Sequence, residues 1–243
     1  MTAKKKDKKS KEMKEKKKTD DSKSKNYESE EAKKLKEKYA SWKPKTGVGK
    51  LVKAGKITSI DEIFTMGKKI QEPEIIDILL PDLEELILKI GSAGRPFKWV
   101  QRMTDSGRRN RYFVMVAVGN RKGYLGLGTG TAKEYGGAIE GALRNAKLNV
   151  INITMGCGSW DCGCGETHSV PVETKGKAGS VKIELKPAPK GTGLVVNKTS
   201  RGILELAGVK DIWSATKGHT ATRPNLAKAT FNALYNLNKV KGR

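Results

Sequence analysis

Two short apolar runs, parted by a five-residue turn and followed by a helical-period segment, constrain this chain more than any other feature. Tyr112-Phe113-Val114-Met115-Val116-Ala117-Val118 is β-branched and aromatic, too short for a confident helix and strong as a strand. Gly119-Asn120-Arg121-Lys122-Gly123 makes the turn, and Tyr124-Leu125-Gly126-Leu127-Gly128 returns as a second strand. Thr131-Ala132-Lys133-Glu134 has the spacing of a capping box. The helix it predicts puts Tyr135, Ala138, Ile139, Ala142 and Ala146 on one face. Strands covered by one helix are an α+β arrangement.

The rest of the 243 residues divides around this unit. Met1 to Lys38 holds 16 Lys against 9 Asp+Glu and almost nothing apolar. Such a segment buries too little surface to offset its ordering entropy, so it is expected to be disordered when free. Its second half, Ser29 to Tyr39, has i,i+4 charge pairs such as Glu30–Lys34 that suit a charged helix. A solvated tail and a basic arm that orders on RNA both fit. Between Trp42 and Ile90, Ser59 to Phe64 reads as a short capped helix. Glu74 to Leu80 reads as a strand or buried segment stopped by Pro81, and Pro81-Asp82 reads as the start of another helix. Beyond Val150, Ser169–Val172 and Val181–Leu185 are strand-like. A helix from Ser200 carries Ile203, Leu204 and Ala207 and stops at Gly208, and Asp211–Ser214 is a strand. A last helix carries Leu226, Thr230, Ala233 and Leu237, with Phe231 and Leu234 widening the stripe. The expected division is a basic tail over 1–44, an extension over 45–94, a strand-and-helix domain over 95–150 and a β-α-β domain over 151–243.

Charge points to the partner. With 49 Lys+Arg against 26 Asp+Glu the net charge is +23, a field that attracts polyanions. No run approaches the roughly 18 apolar residues of a spanning helix, and no apolar stretch follows the lysine-rich start as in a secretory signal. Neither membrane nor export is expected. Three cysteines within eight residues do not make a disulfide framework, and a reducing cytosol fits better. From Arg95 to Gly123 eight bases (Arg95, Lys98, Arg102, Arg108, Arg109, Arg111, Arg121, Lys122) face one acid, Asp105. They fall in the stretch leading into the strand pair and in its turn, where a rigid apolar scaffold presents cations to phosphates. Lys175 to Arg201 repeats the theme with seven bases, Lys190, Lys198 and Arg201 among them, against Glu184. Its glycines, including Gly191 and Gly193, admit close backbone approach.

Catalysis has little to stand on. The glycines from Gly123 to Gly130 lie inside a return strand and lack a Gly-Lys-Ser/Thr ending, so they make a poor nucleotide loop. His168 and His219 are the whole histidine supply. The alternative, a small-molecule kinase suggested by the second domain's fold type, rests on analogy alone. It needs a magnesium carboxylate that the sequence around Gly191 and Gly193 lacks. One metal-like constellation exists: Cys157, Cys162, Cys164 and His168, with Gly156, Gly158, Gly163 and Gly165 for tight turns. Three thiolates and an imidazole match a structural zinc set, though the spacing is not Cys-x-x-Cys. The other reading is a glycine-rich loop with reduced thiols, His168 then bonding RNA or backbone.

The string from Gly107-Arg108-Arg109-Asn110-Arg111-Tyr112 through Gly130, with Lys133-Glu134 and Ala138-Ile139, resembles the signature of the universal small-subunit ribosomal protein five family. Pro187 to Gly193, Lys217 to Thr222, Leu51-Val52-Lys53 and Ile75-Ile76-Asp77 resemble its archaeal and eukaryotic branch, and the match runs from about residue 45 to 238. The resemblance implies a double-stranded-RNA-binding-like first domain and a β-α-β second domain of this family's own type. It implies a structural, non-enzymatic protein that binds small-subunit ribosomal RNA where head and body meet. Such a protein contacts small-subunit proteins four and eight, lines the mRNA entry path with proteins three and four, and supports decoding accuracy. By motif it assigns RNA contact to Arg102, Arg108, Arg109, Arg121 and Lys122. No cofactor is required for that role, a structural zinc being the one candidate. The cysteine cluster departs from the bacterial pattern.

Overall fold

Among the described residues, three short helices come before any strand. The computed structural model describes residues 42–238, and the charged helix expected at Ser29–Tyr39 lies outside them. Every element below belongs to one compact unit that begins at Thr46. Helix α1 (Gly47–Lys53) starts where Thr46 Oγ1 accepts from the Gly49 N–H at 3.1 Å. Helix α2 (Ile60–Thr65) follows Ser59 as expected and buries Ile60 and Ile63. The Ser59 hydroxyl donates to Glu62 Oε1 at 2.7 Å and not to the backbone pattern of a capping box.

Helix α3 (Pro73–Leu79) corrects the strand-or-buried reading of Glu74–Leu80. Ile75 and Ile76 are fully buried, but adjacent buried positions are a helix face here. Pro73 at the first turn, with its φ already helical, marks the start. The helix expected at Pro81-Asp82 is likewise absent. A turn leads into strand β1 (Glu84–Ile87), which pairs antiparallel with residues 116–119 of a strand thirty residues on. That distant partner, invisible to local propensity, decides the conformation.

Strands β2 (Phe97–Thr104), β3 (Gly107–Gly119), β4 (Tyr124–Ala132) and β5 (Val150–Asn152) complete the first sheet. β3 is central, antiparallel to β1, β2 and β4, and helix α4 (Tyr135–Leu148) crosses the sheet. The capping box at Thr131 does not form. Thr131 stays paired with Phe113, the ladder continuing to Ala132, and the helix begins only after Glu134. Ala138, Ala142 and Ala146 are fully buried, whereas Tyr135 and Ile139 are partly exposed.

Gly126, Gly128 and Gly130 explain how close α4 sits. A Cβ on each would lie 2.4, 2.2 and 2.1 Å from the carbonyl oxygens of Ala146, Ala142 and Ala138 respectively. Glycine at period two on the strand meets alanine at period four on the helix, so backbones touch where side chains would otherwise stand. The glycines serve packing and not a phosphate loop.

The second sheet holds β6 (Thr174–Ala178), β7 (Val181–Pro187), β8 (Leu194–Val195) and β9 (Ile212–Lys217) in the order β6-β7-β9-β8. β8 and β9 are parallel and joined through helix α5 (Lys198–Ala207), which is the β-α-β unit. Asn197 caps α5 by accepting from the Thr199 N–H, and Gly208 ends it in the left-handed region at φ 89°. Helix α6 (Arg223–Leu237) buries Leu226, Thr230, Ala233, Leu234 and Leu237, the face the spacing predicted. The strand expected at Ser169–Val172 reduces to one bridge between Ser169 and Gly156. The neighbouring strand is β6, whose outward lysines hid it.

Both sheets feed one apolar core, with Met115 and Leu125 of the first joined to Ile183, Leu185, Ile203 and Leu234 of the second part. One polar pair sits inside it. Ser200 Oγ and Thr230 Oγ1 are 2.9 Å apart, both residues fully buried, and Thr230 donates to the Leu226 carbonyl at 2.9 Å. Thr230→Val is therefore expected to cost about 1–3 kcal/mol by stranding the Ser200 hydroxyl. Adding Ser200→Ala should recover most of that loss, and urea denaturation of the four-member cycle measures the coupling.

Candidate nucleic-acid interface and metal centre

The arginine-rich stretch leading into the strand pair is itself a two-stranded ribbon. β4 pairs with β3 only as far as Ala132–Tyr112, while β2 continues alongside β3 to the Thr104–Gly107 pair. Residues 100–104 and 107–111 thus extend beyond the sheet and are mostly exposed. A run of charges can be a strand when neither face must enter a core, so the period-two test had nothing to detect.

Register sorts the side chains. Lys98, Arg102, Arg109 and Arg111 share one face, with Arg102 directly across from Arg109. Lys133, just past the paired end of β4, joins Arg102, Thr104, Asp105, Arg109 and Arg111 in lining a cleft of about 380 Å³. Sequence reasoning missed Lys133 by placing it in a capping box. The other face carries Arg108 together with Trp99 and Met103, 43% and 68% exposed. At the ribbon's base Phe97 meets Tyr112 edge-on at 5.5 Å and Tyr135 at 5.2 Å. Arginines directly opposite on adjacent strands repel. Arg109 donates to the Ser106 hydroxyl at 3.1 Å. Such a face attracts polyanions.

The other expected contacts lie elsewhere. Arg121 and Lys122 are at the far end of 13-residue β3, roughly 40 Å from the ribbon tip at about 3.3 Å per residue. Arg121 binds Glu84 Oε2 through Nε at 2.9 Å and Nη2 at 2.6 Å, and Lys122 pairs with Asp82 at 3.2 Å. These exposed pairs tie the turn to β1. Arg95 closes the short turn before β2 and is exposed. Lys190 pairs with Glu166 at 2.8 Å, Lys198 opens α5, and Arg201 donates to the Leu194 carbonyl at 3.1 Å.

The cysteine cluster does assemble. One donor atom from each of Cys157, Cys162, Cys164 and His168 lies within 4.8 Å of all the others, and Cys162 Sγ is 3.7 Å from His168 Nε2. The opposite nitrogen, His168 Nδ1, lies 2.8 Å from Asp211 Oδ2, both side chains nearly buried. Asp211 Oδ1 in turn accepts from the N–H groups of Gly191 and Gly193 at 3.1 and 2.8 Å. The loop amides that seemed free for a phosphate are therefore taken by a carboxylate of the chain itself, 18 to 20 residues away in sequence. Nothing near Asp211 announced that role. The hydrogen bond from Cys164 and the backbone amides of Lys190 and Cys164 pull Cys162 down to about 6, while burial pushes Cys157 up. Elsewhere, burial and a 2.8 Å bond to Asp61 push Tyr124 up to about 12.

Two family models match in sequence order: Ribosomal protein S5, N-terminal domain, over residues 97–154, and Ribosomal protein S5, C-terminal domain, over residues 176–242. The small ribosomal subunit protein uS5 of Methanococcus maripaludis is 51% identical over 210 residues, 86% of this chain and 90% of the relative. The chain belongs to the ribosomal protein S5 family. Staphylothermus marinus and Aeropyrum pernix supply uS5 relatives 52% and 53% identical, covering 84% and 81% of this chain and 92% and 87% of their own. These relatives are archaeal, as the branch-specific strings implied. The family is a constituent of the small ribosomal subunit, cytoplasmic in the ribosome and not enzymatic, so the kinase alternative falls. Among the described residues no helix is long and apolar enough to cross a membrane.

Proposed function

We propose that the chain clamps small-subunit ribosomal RNA at the junction of head and body, with the β2–β3 ribbon as its principal grip. The observation that carries this reading is the cationic face of Lys98, Arg102, Arg109 and Arg111, with arginines directly opposed across the strands. Two-stranded ribbons fit grooves, and guanidinium forks match phosphate oxygens. Arg95 and Arg108 extend the surface, and exposed Trp99 offers a ring for base stacking. Arg121, Lys122, Lys190, Lys198 and Arg201 are secondary contacts, since four of them already hold acids or a carbonyl of the chain in exposed, easily exchanged bonds.

The finer reading places the chain beside small-subunit proteins three, four and eight, along the mRNA entry path, where a rigid ribbon would help maintain decoding accuracy. The division into 1–44, 45–94, 95–150 and 151–243 goes with it. In that scheme the first sheet with α4 is the RNA-binding-like domain, and β6 to α6 is the β-α-β domain.

Full-length chain should bind a transcript of the head–body junction with log affinity falling linearly in log salt. A slope near 0.7–0.9 per phosphate contact gives the number engaged. The transcript should also outcompete heparin for the chain at near-cellular ionic strength. Equal affinity for heparin and the junction transcript would reduce the ribbon to a generic polyanion binder and overturn the proposal.

A further inference from the structure

The 21 residues between Asn152 and Thr174 contain no helix or strand, only the Gly156–Ser169 bridge. Structureless loops beyond about 12–15 residues are uncommon inside compact domains and need something to hold them. This one is nevertheless packed. Gly158 sits so close to Pro171 that a Cβ would lie 2.0 Å from its carbonyl oxygen, and His168 is 3% exposed. We infer that Cys157, Cys162, Cys164 and His168 hold one structural zinc ion, and that this ion staples the loop to the segment carrying Lys190.

The donor chemistry selects the metal. Thiolates with one imidazole are soft ligands that favour zinc over magnesium or calcium, and four protein ligands make a closed, structural site. Tetrahedral zinc with Zn–S near 2.3 Å and Zn–N near 2.0–2.1 Å puts donor atoms roughly 3.5–3.8 Å apart. The Cys162–His168 separation of 3.7 Å already has that value, and the 4.8 Å limit requires a contraction of about 1 Å at most. The imidazole is also correctly turned. Nδ1 lies 2.8 Å from Asp211 Oδ2, and Nε2, on the opposite side of the ring, lies against the Cys162 sulfur. A carboxylate behind a ligating histidine is the usual second partner at zinc.

The same aspartate transmits the effect. Asp211 Oδ1 holds the Gly191 and Gly193 amides. The ion, His168, Asp211 and the 187–193 loop thus form one chain of contacts. The bound set is three thiolates, a neutral imidazole and Zn²⁺, with one net negative charge. Lys190 lies close enough to Cys162 and Cys164 to offset it.

Full-length protein purified without chelators should carry one zinc per chain by elemental mass spectrometry. Exchange for cobalt should give the visible d–d bands of a tetrahedral site with sulfur-to-metal charge transfer. Cys164→Ser should weaken zinc at least about 100-fold, and Asp211→Asn about 10- to 100-fold, as loss of a histidine's outer partner typically does. Chelation should lower the melting temperature of wild type but not of Cys164→Ser. Well under one equivalent of zinc together with an octahedral or absent cobalt spectrum in wild-type protein would overturn the inference. So would a disulfide joining two of the three cysteines in protein kept under anaerobic, reducing conditions. Both readouts use the unmutated chain and no RNA, so they stand or fall apart from the ribbon's role.

Discussion

Arg102→Ala, Arg109→Ala and Arg111→Ala combined will lower the slope of log affinity against log salt by about 2–3. Each phosphate contact contributes roughly 0.7–0.9 to that slope. At 0.1 M salt the same term corresponds to roughly a hundred- to five-hundred-fold loss of affinity for the junction RNA. The fold should survive. All three side chains are on the exposed ribbon, outside the apolar core, and removing opposed like charges relieves a repulsion. Lys56→Ala with Lys68→Ala, exposed on the preceding extension, is the control and should change the slope far less. Filter binding from 50 to 300 mM salt, with circular dichroism to verify folding, measures both. A slope change of under about 0.5 in the triple variant would remove the basic face from the interface, whatever the absolute affinity.

Gly128→Ala will cost about 3 kcal/mol or more. Its added Cβ would meet the Ala142 carbonyl oxygen and the Ala146 amide nitrogen, each at 2.2 Å. Both are backbone atoms, so no side chain can rotate away. Either α4 lifts off the sheet, exposing Ala138, Ala142 and Ala146, or β4 buckles. Overpacking of this kind typically costs about 1–3 kcal/mol, and here the obstruction is rigid. For a chain of this size, melting temperature falls about 2–4 °C per kcal/mol, so a drop of about 6–12 °C is expected by calorimetry. Gly141→Ala provides the contrast on the same helix. Its Cβ would meet nothing within 4 Å, so the gain in helix propensity, about 0.8–1 kcal/mol, should appear as a small rise. If Gly128→Ala melted like wild type, the direct helix-on-strand contact would be wrong.

These two effects come from features of different legibility. The apolar runs of β3 and β4, the stripe of α6 and the Gly208 stop of α5 were readable because each is written within one turn or one strand length. There periodicity and left-handed preference act locally. The four candidate metal ligands could be listed for a similar reason, being packed within twelve residues. The long motif strings carried the family as well, and the relatives bear that out.

What resisted was everything that depends on a distant partner. β1 is a strand because β3 offers it an edge, although Pro81-Asp82 looked like a helix start. Thr131 stays in β4 because pairing with Phe113 outweighs the cap it might have supplied. Lys98, Arg102, Arg109 and Arg111 were recognised as bases, but their common face exists only through the register of β2 against β3. Asp211 became the hinge between His168 and the Gly191–Gly193 amides only when the loop folded back on it. By itself, then, the amino-acid order determined element types where periodicity was strong, the cationic character and the family. The tertiary structure alone decided which cations share a surface, and which carboxylate orients the histidine. Local propensities act over a few residues, whereas register and second partners are set by contacts between segments tens of residues apart.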